Sequence, residues 1–200
     1  MKKVMIATKN AGKAREFEQL FAPLGFQVST LLDFPDIEDI EETGTTFEEN
    51  ALLKARTLAN ILKIPVLADD SGLIVDALGG DPGVYSARYA GEPKNDRRNL
   101  EKVLNELGEL PLPERTARFY CVIAFVTPDL QEITASGSVE GKILFEPVGE
   151  NGFGYDPVFY ADELGKAFAE CSDKEKNSVS HRSRALQLLQ IKLGDLKLES

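Results

Sequence analysis

The chain has 200 residues, 42% of them hydrophobic, which suits one globular domain with material for a sizeable core. Its formal net charge of -10 excludes the broad cationic surface that binding to a phosphate backbone requires, so no nucleic-acid partner is expected. Cys121 and Cys171 are too few for a disulfide framework, and no apolar run approaches the roughly 20 residues that cross a bilayer, so free thiols, no membrane and a cytoplasmic location are expected.

The apolar stretch at residues 4–7 is too short for a secretory segment and reads as a first strand. A polar turn, Thr8-Lys9-Asn10-Ala11-Gly12-Lys13, follows it. Phe17, Leu20, Phe21 and Leu24 then recur at helical spacing. Thr45 or Thr46, with Glu48 or Glu49 three residues on, announces a second helix whose apolar face is Ala51, Ala55, Leu58 and Leu62, and Pro65 marks its end. Residues 66–68 read as a short buried strand that ends at a turn, Asp69-Asp70-Ser71-Gly72. Residues 79–91, rich in Gly, Pro and Asp, read as an ordered loop, and 95–107 as a third helix with Leu100, Val103, Leu104 and Leu107 on one face. Stretches 117–126 and 132–143 flank Thr127-Pro128-Asp129 as an antiparallel hairpin, which makes the sheet mixed. A punctuated loop at 151–157 leads to a short strand at 158–160, and the last helix starts near Ser180 and stops near Gly194.

Five places along this chain are candidates for chemistry. The turn from Thr8 to Lys13, lying between a strand and a helix, offers backbone N–H groups, the positive end of a helix dipole and the cations Lys9 and Lys13; it is either a polyphosphate cradle or an ordinary loop with solvated lysines. Asp69 and Asp70 form a carboxylate pair able to hold a hard cation while one member acts on water, or else a turn and helix cap. Glu41 and Glu42 are a second acidic pair, by themselves a solvated face. Ser180-His181-Arg182 and Lys176 add cations near the start of the last helix, with surface solvation as the alternative. Phe153 and Tyr155 could stack on a planar base or anchor their loop in the core.

Taken in order, the segment from Thr8 to Lys13, Glu41-Glu42-Thr43-Gly44-Thr45-Thr46-Phe47-Glu48-Glu49-Asn50-Ala51, Ala68-Asp69-Asp70-Ser71-Gly72-Leu73, Pro82-Gly83-Val84-Tyr85-Ser86-Ala87-Arg88-Tyr89, Gly152-Phe153-Gly154-Tyr155-Asp156-Pro157 and Ser180-His181-Arg182 closely resemble the inosine triphosphate pyrophosphatase family over essentially the whole chain. The resemblance implies an α/β fold, an elongated subunit whose long mixed β-sheet floors a cleft between two α/β lobes, paired as a homodimer. It also implies magnesium-dependent hydrolysis of inosine, deoxyinosine and xanthosine triphosphates to the monophosphate and pyrophosphate. Carried over, Thr8, Lys9, Asn10, Ala11, Gly12 and Lys13 hold the triphosphate, with Lys13 neutralising developing charge. Asp70 is the general base and a metal ligand, with Glu41, or its neighbour Glu42, as the other acid at Mg2+. Ser71, Phe153, Gly154, Tyr155, Asp156, Lys176, His181 and Arg182 complete the substrate site, Phe153 stacking on the base and the cations near its 6-oxo group. Lys9, where relatives often have Gly, and Asn151, where a second Gly is common, depart from the pattern without removing a needed group. Related enzymes acting on modified pyrimidine triphosphates, and a nucleotide sensor without turnover, are the competing readings.

Overall fold

The order of elements in the computed structural model is β1 (Lys2–Ile6), α1 (Ala11–Phe21), β2 (Phe26–Thr30), α2 (Phe47–Leu62), β3 (Val66–Val75), α3 (Asp96–Leu107), β4 (Thr116–Val126), β5 (Glu132–Ile143), β6 (Phe159–Ala161), β7 (Lys166–Ala167), α4 (Asp173–Val179) and α5 (His181–Leu196). The structure describes residues 2–38 and 40–196. The strands form one seven-stranded sheet in the order β2-β1-β3-β4-β5-β6-β7. β1 runs parallel to β2 and β3, whereas β5 and β6 are antiparallel, so the sheet is mixed as the hairpin pattern predicts.

The chain divides into two compact units, one made of residues 1–70, 121–137 and 182–200 and the other of 71–120 and 138–181. In the first, Ile6, Phe17, Leu67, Ile123, Leu186 and Leu189 pack α1 and α5 against the sheet. In the second, Leu73, Val103, Phe119, Val139, Phe159 and Phe168 form the core with α3. Helix starts follow capping chemistry: Asn10 caps α1, Thr46 and Glu49 make a reciprocal box at α2, and Asn95 caps α3.

One sequence expectation fails here. No turn interrupts the chain at Asp69-Asp70-Ser71-Gly72; β3 continues through it for ten residues to Val75. The local turn preference of Asp, Ser and Gly is overridden by the apolar run Leu73-Ile74-Val75 that follows and by charged and amide partners that hold both buried acids in an extended backbone. The short helix α4, capped by Ser172 and Glu175, was likewise not apparent from periodicity, because seven residues give fewer than two full apolar repeats.

Candidate functional site

Side chains alternate along a strand, so Asp69 and Asp70 face opposite sides of the sheet. Their partners agree. Asp69 is 1% exposed; its Oδ2 lies 2.9 Å from Lys13 Nζ on α1 and accepts from Arg182 on α5 at 3.1 Å. Arg182, also 1% exposed, donates its other arm to Glu16 and sits 5.5 Å from the centre of the Phe17 ring. Two acids and two cations therefore meet in one buried cluster. Burial opposes the charge on Asp69, but Lys13 and then Arg182 and Lys54 outweigh it and hold the carboxyl far below the usual range. The same burial drives the neighbouring Cys121 thiol up to about 12, with Asp69 adding to it, so this thiol is inert at neutral pH.

Asp70 faces α2. Its Oδ2 accepts from Asn50 Nδ2 at 3.0 Å, and Lys54, one turn on, places Nζ 3.9 Å from Oδ1 and 2.5 Å from Glu42 Oε1. Burial pushes Asp70 above the ordinary aspartate range, Glu42 adds to that, and Lys54, Lys13 and the Asn50 hydrogen bond oppose it. A buried carboxyl with its charged form disfavoured and its oxygens aimed by neighbours is a candidate proton acceptor. Of the second acidic pair, Glu42 is half-buried in this network while Glu41 is exposed.

The turn from Thr8 to Lys13 is ordered by its own hydrogen bonds. Thr8 is buried and its Oγ1 accepts from the Asn10 N–H at 3.1 Å; Asn10 Oδ1 accepts from the Lys13 N–H at 3.0 Å; Lys9 Nζ donates to the Ile37 carbonyl at 2.7 Å. Ala11, Gly12 and Lys13 thereby form the first turn of α1, with the positive end of its dipole at the same place as the lysine of the buried cluster. The first unit thus brings together the amino-terminal turn, the acids of β3 and the start of α5.

The second unit builds a separate cluster. Asp156 Oδ2 accepts from the Phe153 N–H at 2.9 Å and pairs with Lys176 Nζ at 2.6 Å, both residues being buried. A Cβ at Gly152 would stand 2.1 Å from that same oxygen, at φ +76, so only glycine permits the loop to close over Asp156. Lys176 lies 4.8 Å from the centre of the half-buried Phe153 ring. The Gly154 N–H donates to Asp96 at 2.9 Å. Tyr155, by contrast, is a core residue: its hydroxyl donates to the Ser86 carbonyl at 2.7 Å, and burial raises its pKa. His181 is buried and stacks on Phe119 at 5.0 Å, and Ser71 is half-buried on β3.

Sequence reasoning missed Glu16, Asn50 and Lys54. The signal was present in α2, where Asn50 and Lys54 interrupt an otherwise apolar buried stripe of Phe47, Ala51, Ala55 and Leu58. A polar residue on such a stripe needs a buried partner, and two of them at i and i+4 point at one target.

The chain is thus a mixed α/β protein with a lysine-bearing strand-to-helix turn beside buried acids. The Ham1 family model matches residues 4–192, and the chain belongs to that family. It is similar to the dITP/XTP pyrophosphatase of Bacillus cereus, with 57% identity over 98% of this chain and 96% of that protein, and to that of Geobacillus kaustophilus, with 57% identity over 94% and 93%. Among solved structures it is similar to the Staphylococcus aureus Ham1 protein, with a TM-score of 0.84, 46% identity and coverage of 97% and 99% of the two chains. A HAM1 protein from Coxiella burnetii gives 0.85, 41%, 98% and 100%. Among the described residues no helix is long and apolar enough to cross a membrane.

Proposed function

We propose that this chain hydrolyses non-standard purine nucleoside triphosphates, ITP, dITP and XTP, to the monophosphate and pyrophosphate, and so removes deaminated purines from the nucleotide pool. The observation that carries the reading is Asp70, a buried carboxyl raised toward base-like behaviour beside the Lys13 cluster, in a chain 57% identical to a dITP/XTP pyrophosphatase. Asp70 takes the proton of the attacking water. Thr8, Lys9, Asn10, Ala11, Gly12 and Lys13 hold the triphosphate, and Lys13 offsets the charge that develops on its oxygens.

Magnesium fits the donors present. Two carboxylates, Asp70 and Glu42, already flank one cation, the Lys54 ammonium, and hard oxygen donors in that number suit an ion that fills its remaining positions with water and phosphate. Asp70 and one acid of the Glu41 and Glu42 pair would hold it, and when bound it supplies positive charge to the phosphate oxygens.

Phe153 stacks on the base. Lys176, His181 and Arg182 are its cationic complement, and of these Lys176 is the one whose position beside the Phe153 ring supports the reading. Ser71, Gly154 and Asp156 complete the site, Asp156 by holding Lys176 and the Phe153 amide together, while Tyr155 supports the loop from the core. Donors at a 6-oxo group accept hypoxanthine and xanthine but are left facing the amino group of adenine, and buried donors without acceptors are costly. The protein works as a cytoplasmic homodimer on this reading, which light scattering checks. The activity is tested by comparing kcat/KM for inosine, xanthosine, guanosine, adenosine and uridine triphosphates with magnesium: preference for inosine and xanthosine forms supports it, and preference for guanosine, adenosine or uridine forms overturns it.

A further inference from the structure

Asn50 is 0% exposed and stands on the apolar stripe of α2. A primary amide in such a place is strongly destabilising unless both its ends are bonded. Both are. Nδ2 donates to Asp70 Oδ2 at 3.0 Å, and Oδ1 accepts from the Gly44 N–H at 2.8 Å. A backbone N–H can only donate, so Gly44 fixes the sense of the amide: its oxygen faces the segment carrying Glu41 and Glu42, and its nitrogen faces the carboxylate. The approach is close enough to require glycine, since a Cβ at position 44 would stand 2.6 Å from Asn50 Oδ1 and 2.7 Å from Glu49 Cβ.

We propose that Asn50 is a positioning residue for the hydrolysis, an inference that rests on the role given to Asp70 above. By bonding Asp70 on one side and the backbone of the acidic segment on the other, it fixes the plane of the Asp70 carboxylate and ties the placement of Glu41 and Glu42 to it. Its action is on aim, not on charge. Lys54 spans the same two elements one helical turn on, but an ammonium with three rotatable donors sets no plane.

The test compares Asn50→Ala and the isosteric Asn50→Asp with the wild-type chain on dITP and magnesium. Misplacing a reacting group by about 1 Å costs on the order of 100-fold, so kcat is expected to fall about 100-fold in both variants while KM stays within about threefold. A readout that needs no substrate accompanies it: exchange of the Gly44 amide hydrogen should rise about tenfold or more in Asn50→Ala. Unchanged kcat, a loss that falls equally on KM and kcat, or unchanged Gly44 exchange each overturns the proposal. Loss of the cooperative fold in both variants also overturns it, by making Asn50 a purely structural residue. A wild-type chain that leaves dITP intact, with Gly44 exchange still raised in Asn50→Ala, would instead refute the proposed activity and retain the coupling.

Discussion

Asp69 and Asp70 are neighbours in the chain and opposites in the structure. Asp69 binds Lys13 and Arg182, and Asp70 binds Asn50 and lies near Lys54. The period of two along β3 sends one acid to α1 and α5 and the other to α2. The environments then drive the two carboxyls apart, Asp69 downward and Asp70 upward. A pair of titratable groups split in this manner suits separate jobs: Asp69 anchors cations, and Asp70 is free of that duty for the base role proposed above.

Replacement of each acid by its amide should separate those jobs. Asp69→Asn leaves the Lys13 and Arg182 charges with half their compensation in a buried site and should destabilise by about 3–5 kcal/mol. Asp70→Asn should keep or raise the melting temperature, because burial already disfavours its charge, while cutting kcat by about 10²–10⁴-fold. Thermal melts and initial rates on the two variants check this together.

The pH dependence of stability follows from the same shifts. Asp69 is depressed in the folded state, so its contribution is present above its unfolded value near about 4 and is lost as pH falls toward the folded value. Wild-type stability should fall as pH drops below about 5, and Asp69→Asn should show a shallower decline. Asp70 has the opposite sign: its folded form binds the proton more tightly, so stability in the absence of magnesium should ease downward as pH rises through its raised pKa. Denaturant melts from acid to neutral pH in a chelating buffer measure both slopes, and Asp70→Asn should abolish the second.

In the other unit, Lys176→Met removes the ammonium from the buried Asp156 and should cost about 3–5 kcal/mol. Phe153→Leu preserves the loop but loses a stacking face worth about 1–3 kcal/mol per base, so KM for dITP should rise roughly tenfold with kcat little changed. Steady-state kinetics on Phe153→Leu and melting of Lys176→Met distinguish base contact from loop support.

Arg115 is expected to matter for stability alone. Its guanidinium is 1% exposed and donates to the carbonyls of Gly108, Leu110, Ile143 and Leu144. Lysine cannot reproduce that planar fork, so Arg115→Lys leaves buried acceptors without donors and should cost at least about 2 kcal/mol. kcat/KM at a temperature where the variant is folded should be unchanged.

Much of this architecture is legible in the chain because it is local. The strand, turn and helix at the amino terminus, the capping box at Thr46, the helix capped by Asn95 and the hairpin around Thr127 each rest on spacing and capping within a few residues. The continuation of β3 through Asp69 and Asp70 was not legible, because the partners that hold those acids in an extended backbone lie 113 residues away for Arg182 and 20 for Asn50. For the same reason no local signal singles out Glu16, although it is buried against Arg182. Lys13, Asp70 and Phe153 stand out as candidates because their motifs follow a recognisable order; the role proposed for Asn50 depends on a three-dimensional contact with Gly44 and Asp70.

The proposed hydrolysis cuts the anhydride between the α and β phosphates. The most direct measurement is phosphorus NMR of dITP incubated with the protein and magnesium. The account predicts dIMP and pyrophosphate in equal amounts; dIDP and orthophosphate would contradict it.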